Sequence, residues 1–215
     1  MKQEDTRKRI LHKALELFSE RGYDAVSVGE IAGAVGIKAP SLYNHFSGKQ
    51  AIFDALVEET AAQYEKDTDR IDIHVQNAVQ DMPSFHGISE EILVEKVRRL
   101  FLYSLEDETI RRFRRMMTIE QFRSPELGAM FTHRYVDRVT AYHAALFRDL
   151  IAVGELRAED PDILSMMYAS PVFTLLGVCD RQPELQEKCL EKLEEHVRLF
   201  FRTFHIPEIH GGIEK

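Results

Sequence analysis

The 215-residue sequence predicts an all-α protein with three short helices at its amino end and a longer helical bundle after them, about nine helices in all. Three observations lead to this prediction. Apolar residues recur at helical spacing along most of the chain, no alternating run reaches strand length, and Gly, Pro and Ser separate the periodic segments. With 44% apolar and 30% charged residues, the composition excludes a disordered or collagen-like chain.

The first two helices are marked by their caps. An apolar stripe predicts a helix over 6–21, and Gly22 follows it as a C-terminal glycine cap. Ser27 and Glu30 form the pattern of a capping box, which begins the second helix. Gly36 ends that helix, since a residue without a Cβ tolerates positive φ in a tight turn.

After residue 60 the sequence predicts a helical bundle. Residues 81–87 are predicted to form a loop. The segment 161–179 is apolar nearly all round, which is typical of a helix buried on two sides, and it falls short of the ~20 apolar residues of a membrane span. Besides a helix that contains residues 52–57, the predicted helices cover 89–105, 107–122, 126–153, 161–179 and 184–204.

The cysteine count and the start of the chain limit the class of protein. Cys179 and Cys189 are too few for a disulfide framework, and no Cys and His cluster has metal-site spacing. The chain is charged from Lys2 onward, so we expect no secretory signal. No GxSxG, HExxH or P-loop motif indicates an enzyme. We therefore predict a cytoplasmic protein that is not an enzyme and holds no metal or other cofactor.

Charge is divided unevenly along the chain. The first fifty residues contain eight Lys or Arg and six Asp or Glu, whereas the remainder contains twenty and thirty. The overall net charge of −8 is not that of a general polyanion binder. Such a chain can still bind DNA if its positive charge is concentrated on one small face of the amino-terminal helices.

A third short helix, predicted over 38–45 with Pro40 near its first turn, completes a helix-turn-helix. In this motif the last short helix is presented to the DNA major groove. The first helix must cover the apolar side of this helix, so its other side stays in solvent. Lysine and hydroxyl groups there can reach phosphate oxygens and base edges. The residues predicted on this side and at the start of the next helix are Lys38, Ala39, Ser41, Tyr43, His45 and Lys49.

At this point the sequence resembles a known family. Residues 25–56 are similar to the amino-terminal region of the tetracycline-repressor-type (TetR) family of bacterial transcriptional regulators. The resemblance covers about a quarter of the chain, and the body is similar to the family only in layout and length. The residues that carry it are Phe18, Gly22, Ser27, Ile31, Ala32, Gly36, Leu42, Tyr43, His45, Phe46, Lys49 and Leu56.

The resemblance implies a sequence-specific DNA-binding transcriptional regulator, a ligand-responsive repressor that binds a palindromic operator as a homodimer. It implies a DNA-binding domain over 1–48 and a ligand-binding and dimerisation domain over 49–205, and we expect a flexible tail over 206–215. Tyr43 and Lys49 match phosphate contacts of the family. Ser27 and Ser41 match its hydroxyl contacts. The base-facing start of the recognition helix falls at Lys38, Ala39 and Pro40.

The body contains many Met and aromatic residues, which suit an adaptable pocket for an apolar or amphipathic effector. A bundle of this size also needs such residues as core, so both interpretations stay open. The Arg111–Arg115 run could hold an anionic ligand or form an ion-paired face, because Glu108 lies four residues before Arg112. The candidate pocket residues are Phe101, Phe113, Met116, Met117, Tyr135, Tyr142, Met167 and Phe173.

The last two predicted helices, 161–179 and 184–204, are expected to form the homodimer contact. The family pattern implies a four-helix bundle with two helices from each subunit. The cluster of Phe200, Phe201 and Phe204 would otherwise leave apolar area exposed.

A second class of function remains open at this point. The chain could be a small-molecule-binding protein or enzyme whose helix-turn-helix no longer acts on DNA. The small positive charge of the amino-terminal helices is compatible with this alternative. A mobility-shift assay with the DNA upstream of its gene distinguishes the two.

Overall fold

The computed structural model describes residues 2–70, 73–74, 77–123 and 125–207, and these residues form an all-α fold, as predicted. Most of the predicted tail, from residue 208 onward, lies outside this part. Besides the α-helices, the chain contains a π-helical turn (His133–Asp137) and a 3₁₀ turn (Pro183–Leu185). The helices are α1 (Lys2–Arg21), α2 (Val28–Val35), α3 (Ala39–Leu42), α4 (Lys49–Asp69), α5 (Ala78–Phe85), α6 (Glu90–Glu106), α7 (Glu108–Glu120), α8 (Pro125–Thr132), α9 (Arg138–Ala152), α10 (Pro161–Arg181) and α11 (Gln186–Phe204).

The chain divides into two compact units. The first unit is Met1–Asp67 with Ser104–His133, and the second is Thr68–Tyr103 with Arg134–Lys215. The first unit therefore contains α7 and α8 as well as the amino-terminal helices. The functional boundary predicted at residue 48 is a different division, and it stays a prediction.

The core of the first unit forms around the apolar stripe of α1. This helix packs against α2 and α7, and α2 packs against α3. The predicted packing partners are all buried, so α3 is held by its apolar side. They are Ile10, Ala14 and Phe18 on α1, and Ile31, Val35 and Leu42 opposite.

The second unit has an aromatic core. The rings of Phe147, Tyr168 and Phe200 contact one another, with centroid distances of 4.9 to 5.6 Å. The ring of His143 lies 5.0 Å from that of Tyr168. Burial lowers the pKa of His143 to about 4, so this ring is uncharged at neutral pH and packs against the aromatic core.

The loop predicted over residues 81–87 is wrong. Residues up to Phe85 are helical and form α5, which contains Pro83 in its interior. Asn77 caps the helix by accepting a backbone hydrogen bond, and α5 packs against α9. The buried side chain of Asp81 attaches α5 to the rest of the second unit. Capping and tertiary contacts therefore outweigh the hydrogen bond that the proline cannot donate.

The prediction that helix 161–179 is buried on two sides is also wrong for the single chain. Ile163, Met166 and Met167 of α10 are 54, 57 and 50% exposed. By length and composition alone α10 does match a membrane-spanning helix, contrary to expectation, although core helices of soluble proteins pass the same test. One side of α10 packs in the unit and the other is an uncovered apolar face.

The prediction that the phenylalanine cluster of α11 leaves apolar area exposed in the single chain is wrong, because the cluster is packed within the unit. Phe200 is buried, and Phe201 and Phe204 pack against the same aromatic core. The exposed apolar side chain of this helix is instead Leu199, which is 66% exposed. The two cysteines, Cys179 on α10 and Cys189 on α11, are buried and are not joined in a disulfide.

Candidate nucleic-acid interface

The predicted capping box at the start of α2 is present. The hydroxyl of Ser27 accepts the backbone N–H of Glu30 at 3.2 Å, and the Glu30 carboxylate accepts the backbone N–H of Ser27 at 2.8 Å. The bonds from Ser27, with the Arg21 guanidinium, lower the pKa of Glu30 to about 2. Ser27 is exposed, and its hydroxyl also donates to the Glu30 carboxylate at 2.8 Å, so a bond from this hydroxyl to a phosphate would replace the bond to Glu30.

The turn into α3 depends on a left-handed glycine. Gly36 has φ +77°, and its N–H bonds to the end of α2. The α-helix itself spans only Ala39–Leu42, but the N–H groups of His45 and Phe46 still bond to the carbonyl of Leu42, at 2.9 and 3.1 Å. The helical turn therefore presents side chains over the whole predicted segment.

The solvent side of this segment is called the α3 rim. Leu42 is fully buried beneath it, whereas Tyr43 is 56% exposed. Lys38, Pro40 and Ser41 are exposed as well, and Ala39 and His45 are half-buried. The residues of the α3 rim are Lys38, Ala39, Pro40, Ser41, Tyr43 and His45.

Lys49 is held at the start of α4 rather than extended into solvent. Its Nζ donates to the carbonyl of Tyr23 at 2.9 Å and to that of Asp24 at 3.5 Å. The same ammonium lies 4.2 Å from the centroid of the Tyr23 ring, a cation–π contact. An ammonium has three donors, so a fixed Lys49 can still donate to an anion.

The structure thus gathers most of the predicted DNA-binding residues on α3 and at the first turns of α2 and α4. Tyr23, which holds the lysine, is not among the residues that the sequence predicts for this site. Nothing in the sequence predicts this role, because Tyr23 is simply the residue that follows the cap Gly22. Hydroxyl groups, two lysines and exposed helix starts are the groups that contact the phosphates and base edges of duplex DNA.

Two family models match the chain. The model described as bacterial regulatory proteins, tetR family, matches residues 10–56. The model described as AefR-like transcriptional repressor, C-terminal domain, matches residues 91–200, just over half of the chain. The chain belongs to the TetR family. The family consists of DNA-binding bacterial regulatory proteins, which are generally not enzymes.

Two curated transcriptional regulators resemble the chain, one in part and one over most of its length. IcaR of Staphylococcus aureus, the negative regulator of a biofilm operon, is 45% identical over 49 residues, which are 23% of this chain and 26% of IcaR. The chain thus matches about a quarter of the length of IcaR. UidR of Escherichia coli K12 is 26% identical over 168 residues, 75% of this chain and 73% of UidR.

A solved TetR structure has the same fold. SmeT of Stenotrophomonas maltophilia, in its complex with triclosan, superposes with a TM-score of 0.68 at 21% identity, over 95% of this chain and 93% of SmeT. At this level of identity the similarity shows a shared fold.

The predicted effector-pocket residues fall into both units of the TetR chain. Phe113, Met116 and Met117 are buried in the first unit. In the second unit Phe101 is buried, and the rings of Tyr135 and Phe173 lie 6.1 Å apart. Met167 is on the exposed face of α10, and the hydroxyl of Tyr142 bonds to Asp81. That these residues line one pocket stays a prediction.

The arginine run of α7 is ion-paired at one position and buried at another. Arg112 Nη2 lies 2.8 Å from the carboxylate of Glu108, as the spacing predicts. Arg114 is 3% exposed and donates to the carbonyl of Ser104 at 2.8 Å. In the described part of the chain no group of His, Cys, Asp and Glu side chains is arranged to hold a metal ion.

Proposed function

We propose that this TetR-family chain is a cytoplasmic, ligand-responsive repressor that binds a palindromic operator as a homodimer. The observation that carries the DNA-binding role is the α3 rim: a row of exposed side chains on a segment whose apolar side is fully buried at Leu42. Burial of that side fixes the orientation of the rim. Lys49 lies at the start of the following helix.

The predicted contacts have different tasks. Lys49, Tyr43 and the hydroxyls of Ser27 and Ser41 contact phosphates and set the position of the protein on the duplex. Lys38, Ala39 and Pro40 face the base edges and select the sequence. The two recognition helices of a dimer enter successive major grooves, which are about 34 Å apart.

Repression and its release follow from this geometry. A dimer on its operator blocks other proteins from the same DNA. An effector that prefers a dimer with a different spacing of recognition helices weakens operator binding, and DNA weakens effector binding by the same factor. IcaR is a negative transcriptional regulator and SmeT is a repressor, which supports a repressor role for this chain. The complex of SmeT with triclosan supports an apolar effector.

We expect Lys49→Ala to weaken DNA binding without changing which sequence is preferred. An operator is first isolated from a random duplex library, and affinities are then measured by mobility shift over a range of salt concentrations. The variant should bind the operator and scrambled duplexes about tenfold more weakly, and the salt slope should fall by about one phosphate contact. Lys38→Ala should instead change the preferred sequence.

Lys66→Ala is the matched control for this experiment. Lys66 is exposed near the other end of α4, about 25 Å from Lys49 along the helix. Its replacement should therefore leave the DNA affinity and the salt slope unchanged. A change in base preference alone in Lys49→Ala would contradict its phosphate role. If the library yields no operator, the alternative of a protein that no longer acts on DNA gains support.

The dimer contact is proposed on α10 and α11. Ile163, Met166 and Met167 of α10 and Leu199 of α11 form apolar surface that a dimer would cover. We expect Met166→Glu combined with Leu199→Glu to give a monomer at micromolar concentration in sedimentation velocity, where the wild type is a dimer. Val79→Glu is the control, because Val79 is 71% exposed but lies on α5. A wild-type monomer at this concentration would contradict the proposal.

A further inference from the structure

A carboxylate of α7 reaches the turn between α1 and α2. Glu120, the last residue of α7, is only 1% exposed. Its Oε1 accepts the backbone N–H of Tyr23 at 2.9 Å and a hydrogen bond from Arg123 Nη1 at 3.0 Å. Ninety-seven positions of sequence separate Glu120 from Tyr23, so this bond is purely a product of the fold.

Tyr23 is bonded at both of its backbone groups. Its N–H donates to Glu120 of α7, and its carbonyl accepts from Lys49 at the start of α4, at 2.9 Å. One residue therefore lies between a buried acid and the lysine to which we assign a phosphate contact. A shift of the Tyr23 backbone would displace the ammonium that it holds.

The turn has little freedom to absorb such a shift. The Tyr23 ring contacts the rings of Phe18 and Phe53, each with a centroid distance of 5.2 Å. Its hydroxyl donates to Gln50 Oε1 at 3.0 Å. Gly22, next to it, packs so closely that an added Cβ would lie 2.8 Å from Glu120 Oε1. Movement of the end of α7 should therefore move the turn as a body.

The two ends of this connection belong to regions with different family models. Tyr23 and Lys49 lie within residues 10–56, matched by the DNA-binding model. Glu120 lies within residues 91–200, matched by the C-terminal repressor domain model. Both ends are part of the first compact unit. A hydrogen bond thus links the region of the effector domain to the DNA-binding helices.

We propose that Glu120 is a positioning residue for DNA binding, which acts through Tyr23 on Lys49. The inference rests on the proposed function, because it requires that Lys49 contacts DNA. With α7 in the position seen here, Glu120 fixes the turn and Lys49 is preorganised for a phosphate. When the end of α7 moves away, the Tyr23 N–H loses its partner and Lys49 loses its fixed position. Coupling between α7 and DNA binding is then reciprocal.

The test is a double-mutant cycle on the isolated operator. The variants Glu120→Ala, Lys49→Ala and their combination are compared by operator affinity and by the dependence of affinity on salt. We expect Glu120→Ala to lower affinity about tenfold and to reduce the salt slope by about one contact, as Lys49→Ala does. In the Lys49→Ala background the second substitution should have no further effect, because both remove the same contact.

Two further variants separate positioning from a general loss of stability. Glu120→Gln keeps an oxygen that can accept the Tyr23 N–H, so it should stay within about twofold of the wild-type affinity. Glu108→Ala removes another α7 acid that pairs with Arg112, and it should leave the salt slope unchanged. Unfolded protein reduces the active fraction but does not alter the slope, so the slope reports on the phosphate contact itself.

The possible failures are distinguishable. If the losses of Glu120→Ala and Lys49→Ala multiply, or if Glu120→Ala keeps the wild-type slope, the role of Glu120 is overturned and Lys49 remains a DNA contact. If Lys49→Ala alone leaves affinity and slope unchanged, the phosphate role of Lys49 is overturned, and the inference about Glu120 with it.

Discussion

Replacing Gly22 by alanine should lower the free energy of unfolding by about 3 kcal/mol. Gly22 has φ +85°, which costs a residue with a Cβ about 1 kcal/mol or more. The new Cβ would also lie 2.3 Å from Arg123 Nη1 and 2.8 Å from Glu120 Oε1. Arg123 can move away, but Glu120 is buried, so the overlap adds to the backbone strain. Urea unfolding of the wild type and the variant measures the difference.

Two other glycines serve as controls for the two causes. Gly36 has φ +77° with nothing within 4 Å of an added Cβ, so Gly36→Ala should show the backbone strain alone, about 1 kcal/mol. Gly33 lies inside α2 with equally open space, and Gly33→Ala should stabilise the protein by up to about 1 kcal/mol. If Gly22→Ala lowers the free energy of unfolding no more than Gly36→Ala does, the close packing of α7 against the turn contributes nothing to stability.

Asp81→Ala should destabilise the second unit by about 3 kcal/mol. Asp81 is 1% exposed and accepts the backbone N–H of His74 at 2.8 Å. Its carboxylate also bonds to the imidazole of His74 and to the hydroxyl of Tyr142. Alanine leaves these donors without the acceptor that compensated their burial. Burial and the bond to Asp81 both raise the pKa of Tyr142 well above its usual value, so its hydroxyl stays a donor.

Tyr142→Phe is the control for this network. It removes one hydrogen-bond donor and leaves the carboxylate its bonds to His74, so it should cost about 1 kcal/mol. Asp81→Asn keeps one acceptor oxygen and should fall between the two variants. Thermal or urea unfolding at neutral pH measures the series. Equal losses for Asp81→Ala and Tyr142→Phe would show that the tyrosine bond carries the whole effect.

Features set by neighbouring residues could be predicted from the sequence. The capping box of Ser27 and Glu30 and the left-handed Gly22 and Gly36 are present because each depends on a few consecutive residues. The burial of Leu42 follows from the apolar stripe, and with it the orientation of the α3 rim. These local rules were enough to locate most of the candidate interface.

Features that depend on distant contacts could not be predicted. Pro83 and Gly87 suggested a loop, because nothing nearby in the sequence shows that Asp81 is anchored by Tyr142. The bond between Glu120 and Tyr23 likewise has no sequence signal, since a single acid at a helix end is ordinary. The apolar circumference of α10 predicted burial but could not show that part of it is left uncovered by its own chain.

The two buried thiols make this regulator suitable for site-directed labelling. Cys179 and Cys189 are each only 4% exposed, so alkylating spin labels should leave them unmodified in the folded protein. A cysteine introduced at the exposed Ser41 would then be the preferred attachment point on each chain. In a dimer, the dipolar distance between two such labels would report the separation of the recognition helices directly, with and without a candidate effector, and no native cysteine would have to be replaced.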